Sequence, residues 1–267
     1  MQHFVRPGVT TSYRVLEGAG DGVPLLIVPG LAADPGEWGR CARTAATRGP
    51  VIVAGVRGQF GEDAGPHPER TTLADLTSDV VALLDDLGIE RAHLLGHSMG
   101  GVVALDLALR RPERVGALVL VSTTPEASSS RERERAVALV SESVIVPMTE
   151  IAGGTAGVSA HPAGENGGSS APSGWDDPAR HRRAAALALA TREAQTPFLG
   201  QIGAPTLVVV GERDLPALQR GAELLHGWIP NSRLVRVPNA AHHPHRDAPE
   251  PFMELVLAFL REVDASV

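Results

Sequence analysis

Gly96-His97-Ser98-Met99-Gly100 is the stretch whose residue types and spacing could do chemistry. It closes the apolar run His93-Leu94-Leu95, and a helical pattern begins near Met99. A strand is therefore expected to deliver Ser98 to a tight turn, with a helix carrying the chain away. Glycines two residues either side of the serine suit a strained strand-to-helix turn, where backbone packs on backbone and a Cβ has no room. Such a turn lifts the Ser98 hydroxyl above the sheet. It also sets the Met99 N–H at a helix N-terminus, where negative charge is stabilised. The chemistry on offer is nucleophilic attack, which needs an imidazole to take the serine proton and N–H donors to hold the oxyanion. By itself the pattern also suits a plain packing turn, so the surrounding elements decide.

Composition narrows the classes of partner. The chain has 267 residues, 43% hydrophobic and 21% charged, enough for one large α/β domain with an insertion. A formal charge of −7 argues against nucleic acid or an anionic membrane. Arg131-Glu132-Arg133-Glu134-Arg135 alternates in sign and reads as a solvated helix face. Met1 to Thr10 lacks a signal-peptide core, and no run reaches transmembrane length. Cys41 is the only cysteine, so no disulfide forms within the chain. These features predict a cytoplasmic protein, monomer or homodimer, acting on a small molecule.

The elements that must position Ser98 follow from apolar patterning. Ser12 to Glu17 alternates as an early strand does, and Gly18 to Gly22 is a turn. Pro24 to Val28, Val51 to Ala54, His93 to Gly96, Val115 to Val121 and Pro205 to Val210 are strands, the first short and wholly apolar and the first three buried. Arg233 to Val237 adds one more. Helices are expected over about Gly36–Arg48, from the Thr71 or Thr72 cap to Gly88, and over Met99–Arg110, Pro216–His226 and Pro249–Val263. Strands alternating with helices describe βαβ units and a mostly parallel central sheet flanked by helices. Between Thr124 and Gly203 the rhythm breaks. Arg131–Val146 and Pro178–Arg192 read as helices around a Gly, Ser, Ala and Pro segment, Gly153–Gly174. The expected organisation is a core of 1–123 and 204–267 with a helical lid at 124–203.

Together these features resemble the α/β-hydrolase family over nearly the whole chain apart from the insertion. The Gly96–Gly100 elbow stands at the family's nucleophile position, Ser98. Pro29-Gly30-Leu31, after a buried strand, matches its oxyanion loop, so the resemblance implies backbone donors at Leu31 and Met99. Gly211-Glu212-Arg213-Asp214 matches the acid position, filled by Asp214, with Glu212 as the rival. Asn239-Ala240-Ala241-His242-His243-Pro244-His245 matches the histidine loop, with His242 as base and His243 and His245 as rivals. Serine, acid, histidine is the chain order this fold uses. Histidine titrates near neutrality, and a carboxylate behind it fixes its tautomer.

The chain also departs from the family pattern. Pro29 stands where a histidine often precedes the glycine, removing a side chain that can order the oxyanion loop. Gly55 occupies a usually acidic position, Gln59-Phe60 lengthens the step from Arg57-Gly58 to Gly61, and Ala241 replaces a glycine. The resemblance implies a serine hydrolase for an ester, thioester or lactone, with no metal or organic cofactor. The same scaffold also hosts C–C bond hydrolases, non-hydrolytic lyases or cyclases, and ligand-binding proteins without catalysis. Trp38, Phe60 and Trp175 are candidate substrate contacts. The few aromatics at 124–203 suggest an aliphatic or small-ring substrate.

Overall fold

The computed structural model describes residues 2–31, 33, 36–59, 63–128 and 178–266, without the side chains of 178–182. Phe60, Trp175, the expected helix at 131–146 and the glycine-rich segment lie outside the described residues.

Eight described strands form one sheet: β1 (Gln2–Arg6), β2 (Val9–Leu16), β3 (Leu25–Val28), β4 (Val51–Ala54), β5 (Ala92–His97), β6 (Val115–Val121), β7 (Thr206–Gly211) and β8 (Ser232–Val237). Their order is β1-β2-β4-β3-β5-β6-β7-β8. β1 pairs β2, and β2 pairs β4, antiparallel; every later pairing is parallel. The fold is thus the expected α/β architecture with a mostly parallel sheet. Only β1 is additional: it is half exposed at the sheet edge and carries no apolar run that would announce it, whereas β2 covers the expected early strand.

Every residue of β3 through β7 is buried. Parallel strands are roofed on both faces by their own crossover helices, so alternate side chains enter two separate cores. Leu26, Ile52, Leu94, Leu118 and Val208 face α2 (Leu73–Asp86), α3 (Met99–Arg110) and α5 (Pro216–Trp228). Leu25, Ile27, Val53, Leu95, Val119 and Val209 face α1 (Gly39–Ala45) and α7 (Pro249–Asp264). Each such Leu, Val or Ile contributes roughly 1.5–3 kcal/mol by burial, which fixes strand order and face. α2 starts at a capping box in which Thr72 and Asp75 exchange side-chain and backbone hydrogen bonds, making Thr72 the cap.

α4 (Pro178–Thr191), the second helix of the expected lid, packs against α2 and the turn Pro68–Arg70. Its Ala185 and Ala188 join the first core, with Leu199 and Ile202 beyond them. The two described ends of the 124–203 segment are stitched together. Gln195 N–H donates to the Pro125 carbonyl at 2.7 Å, and Thr196 Oγ1 to Glu126 Oε1 at 2.8 Å. Among the described residues, no helix is long and apolar enough to cross a membrane.

Candidate active site

Ser98 stands between β5 and α3 at φ 53°, ψ −114°. A non-glycine residue there costs about 1–3 kcal/mol and persists only when its surroundings hold it. They do. Its N–H donates to the Val121 carbonyl at 2.9 Å, and Thr123 Oγ1 donates to its carbonyl at 2.8 Å. The flanking glycines are obligatory, because a Cβ on Gly96 would sit 2.3 Å from the Gly100 carbonyl oxygen and one on Gly100 1.9 Å from that of Val28.

The long loop after β8 brings His242 over this turn. Ser98 Oγ lies 3.2 Å from His242 Nε2, and His242 Nδ1 lies 3.2 Å from Asp214 Oδ1. With the proton on Nδ1 donated to Asp214, Nε2 is left to accept from the serine hydroxyl. The Asp214 side chain is fully buried, and its Oδ1 also accepts the Leu215 N–H at 2.8 Å. Glu212, the rival acid, is exposed; its carboxylate accepts the Asn239 N–H at 3.3 Å.

The rival histidines are placed elsewhere. His245 is buried, stacked on Trp38 with centroids 3.9 Å apart, and its Nε2 donates to Glu37 Oε1 at 2.5 Å. His243 Nδ1 lies 3.4 Å from the same oxygen. Burial raises the Glu37 pKa, but its hydrogen bonds to His243 and His245 outweigh that and hold the carboxyl below the usual range. Burial also pushes the His97 and His245 imidazoles below their ordinary value. His97 Nε2 donates to the His242 carbonyl at 2.8 Å, tying the histidine loop to the elbow. Cys41 is buried with its Sγ 3.8 Å from the His245 carbonyl, and burial pushes the thiol up to about 11, which disfavours the thiolate.

Trp38 requires a correction. It has 0% exposure, enclosed by His245, His97 and Phe252, so it supports the histidine loop rather than meeting a substrate. Its sequence neighbours, Glu37, Gly39 and Arg40, gave no local signal of that burial.

The oxyanion-loop candidate, Pro29-Gly30-Leu31, lies against the elbow. A Cβ on Gly30 would come 3.3 Å from Ser98 Cβ and 2.8 Å from His97 Nδ1. The loop is held by Gln59, a residue whose role the sequence did not disclose. Its side-chain NH2 donates to the Gly30 carbonyl at 2.7 Å, and its Oε1 accepts the Val56 N–H at 3.0 Å. Gln59 thus supplies an anchor for the loop that lacks a histidine at Pro29. Met99 begins α3 and is buried against the first core.

Comparison with known proteins agrees with this architecture. Residues 23–144 match the family described as the alpha/beta hydrolase fold. A protein of Azorhizobium caulinodans, provisionally named carbamate hydrolase RutD, is 28% identical over 98% of this chain and 99% of its own. The dihydrolipoyllysine-residue acetyltransferase component of the acetoin cleaving system of Pseudomonas putida is 32% identical over 92% of this chain, and the alignment spans 65% of that protein. A thermophilic esterase from Thermogutta terrifontis superposes with TM-score 0.77 at 24% identity, covering 99% of this chain and 100% of its own. The chain thus has the α/β-hydrolase fold, its residues 23–144 match that family, and the full-length relative it resembles is named as a hydrolase.

Proposed function

We propose that this protein is a serine hydrolase that cleaves a small ester, thioester or lactone through an acyl-enzyme on Ser98. The observation that carries the reading is the relay Ser98 Oγ, His242 and Asp214, with both steps at 3.2 Å. His242 takes the Ser98 proton as Oγ attacks the carbonyl carbon, and Asp214 stabilises the imidazolium that forms. The N–H groups of Leu31 and Met99 hold the developing oxyanion, an interaction typically worth 10²- to 10³-fold per donor. Collapse of the tetrahedral species expels the alcohol or thiol, which receives the proton from His242. A water activated by the same imidazole then releases the acid.

Residues 1–123 and 204–267 act as the catalytic core on this reading, and 124–203 as a lid that meets the substrate. The lid's aliphatic composition favours an aliphatic or small-ring acyl group. We place the enzyme in the cytoplasm, as a monomer or homodimer working on a free small molecule.

A panel of p-nitrophenyl esters of rising chain length, with simple lactones and a fluorophosphonate probe, tests the reading. Wild type is expected to turn over the short esters and to be labelled once; Ser98→Ala is expected to do neither. Absence of both in the wild type overturns it. Cleavage of β-diketones in place of esters moves the reaction to C–C bond hydrolysis.

A further inference from the structure

We propose that His97, His243 and His245 form a binding site for one divalent transition-metal ion of the zinc class, set directly behind His242. One ring nitrogen of each lies within 4.8 Å of those of the other two. The ring centroids are 5.0, 4.9 and 5.6 Å apart. Three imidazoles around a tetrahedral ion with bonds of about 2.0–2.1 Å place their centroids roughly 5 Å apart and their ligand nitrogens roughly 3.3 Å apart. The rings are already at that spacing, the nitrogens have still to close from within 4.8 Å, and His243, 35% exposed in the loop before α6 (Pro244–Asp247), is the least buried of the three.

The hydrogen bonds point the same way. His97 and His245 are 1% and 3% exposed, and the Nδ1 atom of each has no hydrogen-bond partner among the described residues. In each ring the other nitrogen is engaged. His97 Nε2 donates to the His242 carbonyl at 2.8 Å, and His245 Nε2 to Glu37 Oε1 at 2.5 Å. Oxygens that can only accept fix the proton on Nε2 and leave a buried lone pair on Nδ1. Metal-binding histidines are arranged in this way, with the remaining N–H given to a backbone carbonyl or a carboxylate. Glu37 brings a negative charge behind His245, as the acceptor of its Nε2–H rather than as a ligand. A set of three imidazoles suits zinc, copper or nickel better than calcium or magnesium. The sequence does not announce such a site, because His97 reaches it from β5, far along the chain from the other two.

The site stands apart from the serine hydrolase reading, since neither Ser98 nor the ring of His242 is a ligand. Occupancy would hold His97 in the tautomer that anchors the His242 carbonyl, stiffening the loop that carries the base.

Titration of the metal-stripped full-length protein with Co²⁺, followed by visible d–d absorption and then by Zn²⁺ competition, tests the proposal. One equivalent of Co²⁺ is expected to give an intense tetrahedral-type band that Zn²⁺ bleaches. His243→Ala and His243→Gln, at a partly exposed position, are expected to fold by circular dichroism and to weaken binding at least about tenfold. His242→Ala is expected to bind as wild type does. No stoichiometric binding, binding unchanged in both His243 variants, or binding lost in His242→Ala overturns the proposal.

Discussion

Gln59 donates its side-chain amide to the carbonyl of Gly30 across 2.7 Å, from a position that is 3% exposed. The bond spans two crossover loops and sets the backbone next to Ser98. It replaces, from a neighbouring strand's loop, the side chain that Pro29 cannot provide. The first prediction rests on it. Gln59→Leu leaves the Val56 N–H buried without a partner and the Gly30 carbonyl with only the Ala33 N–H at 3.3 Å, which costs about 1–3 kcal/mol. Urea denaturation is expected to show that loss. Ester hydrolysis is expected to lose kcat more than it raises KM, because the loop acts on the transition state. An unchanged kcat would separate Gln59 from catalysis.

The relay makes a sharper claim. Ser98→Ala or His242→Ala is expected to lower kcat by roughly 10⁴- to 10⁶-fold. Asp214→Asn, which favours the wrong His242 tautomer, is expected to lower it roughly 10⁴-fold. Glu212→Gln touches only the Asn239 N–H and is expected to stay within a factor of a few of wild type. Steady-state kinetics on one p-nitrophenyl ester decides, and a crippled Glu212→Gln beside an active Asp214→Asn would reverse the assignment of the acid.

The elbow's glycines are steric. A Cβ on Gly100 would meet Val28 O at 1.9 Å, which only a backbone shift can relieve. Gly100→Ala is therefore expected to lose at least about 1–3 kcal/mol of stability and to separate α3 from β3. A melting temperature equal to wild type would contradict that close approach.

A pH effect arises far from the site. Asp264 accepts from Arg48 Nε at 2.6 Å and from His93 Nε2 at 2.9 Å. Its partial burial favours the protonated acid, but Arg48 and then His93 outweigh that and hold the carboxyl below its ordinary value. Its folded pKa thus lies below its unfolded one. The stabilisation is complete above the unfolded pKa, about 3.9, and is lost as pH falls through the folded value. Asp264→Asn is expected to be less stable than wild type at pH 6, with the gap closing below about pH 4. Denaturant midpoints across that range measure it; a gap constant with pH would assign the effect to packing.

The sequence by itself determined the elements and their order. Short apolar runs bounded by turn residues suit a sheet covered on both faces, so β3 to β7 are readable locally. Two glycines flanking Ser98 likewise predict the steric limit later seen against Val28 and Gly100. What the sequence left open were the choices among neighbours: His242, His243 or His245, and Asp214 or Glu212. Residues one to three positions apart share the same local pattern, and only the direction in which the loop presents each side chain separates them. The fates of Trp38 and Gln59 have the same cause. Trp38 is covered by His245 and Phe252, and Gln59 reaches Gly30, through contacts made between distant segments. The edge strand β1 was hidden for the opposite reason, since a half-exposed strand needs no continuous apolar run. Ser98 is marked in the sequence, but its distance to His242 exists only after β5 and the loop beyond β8 have been packed on the same end of the sheet.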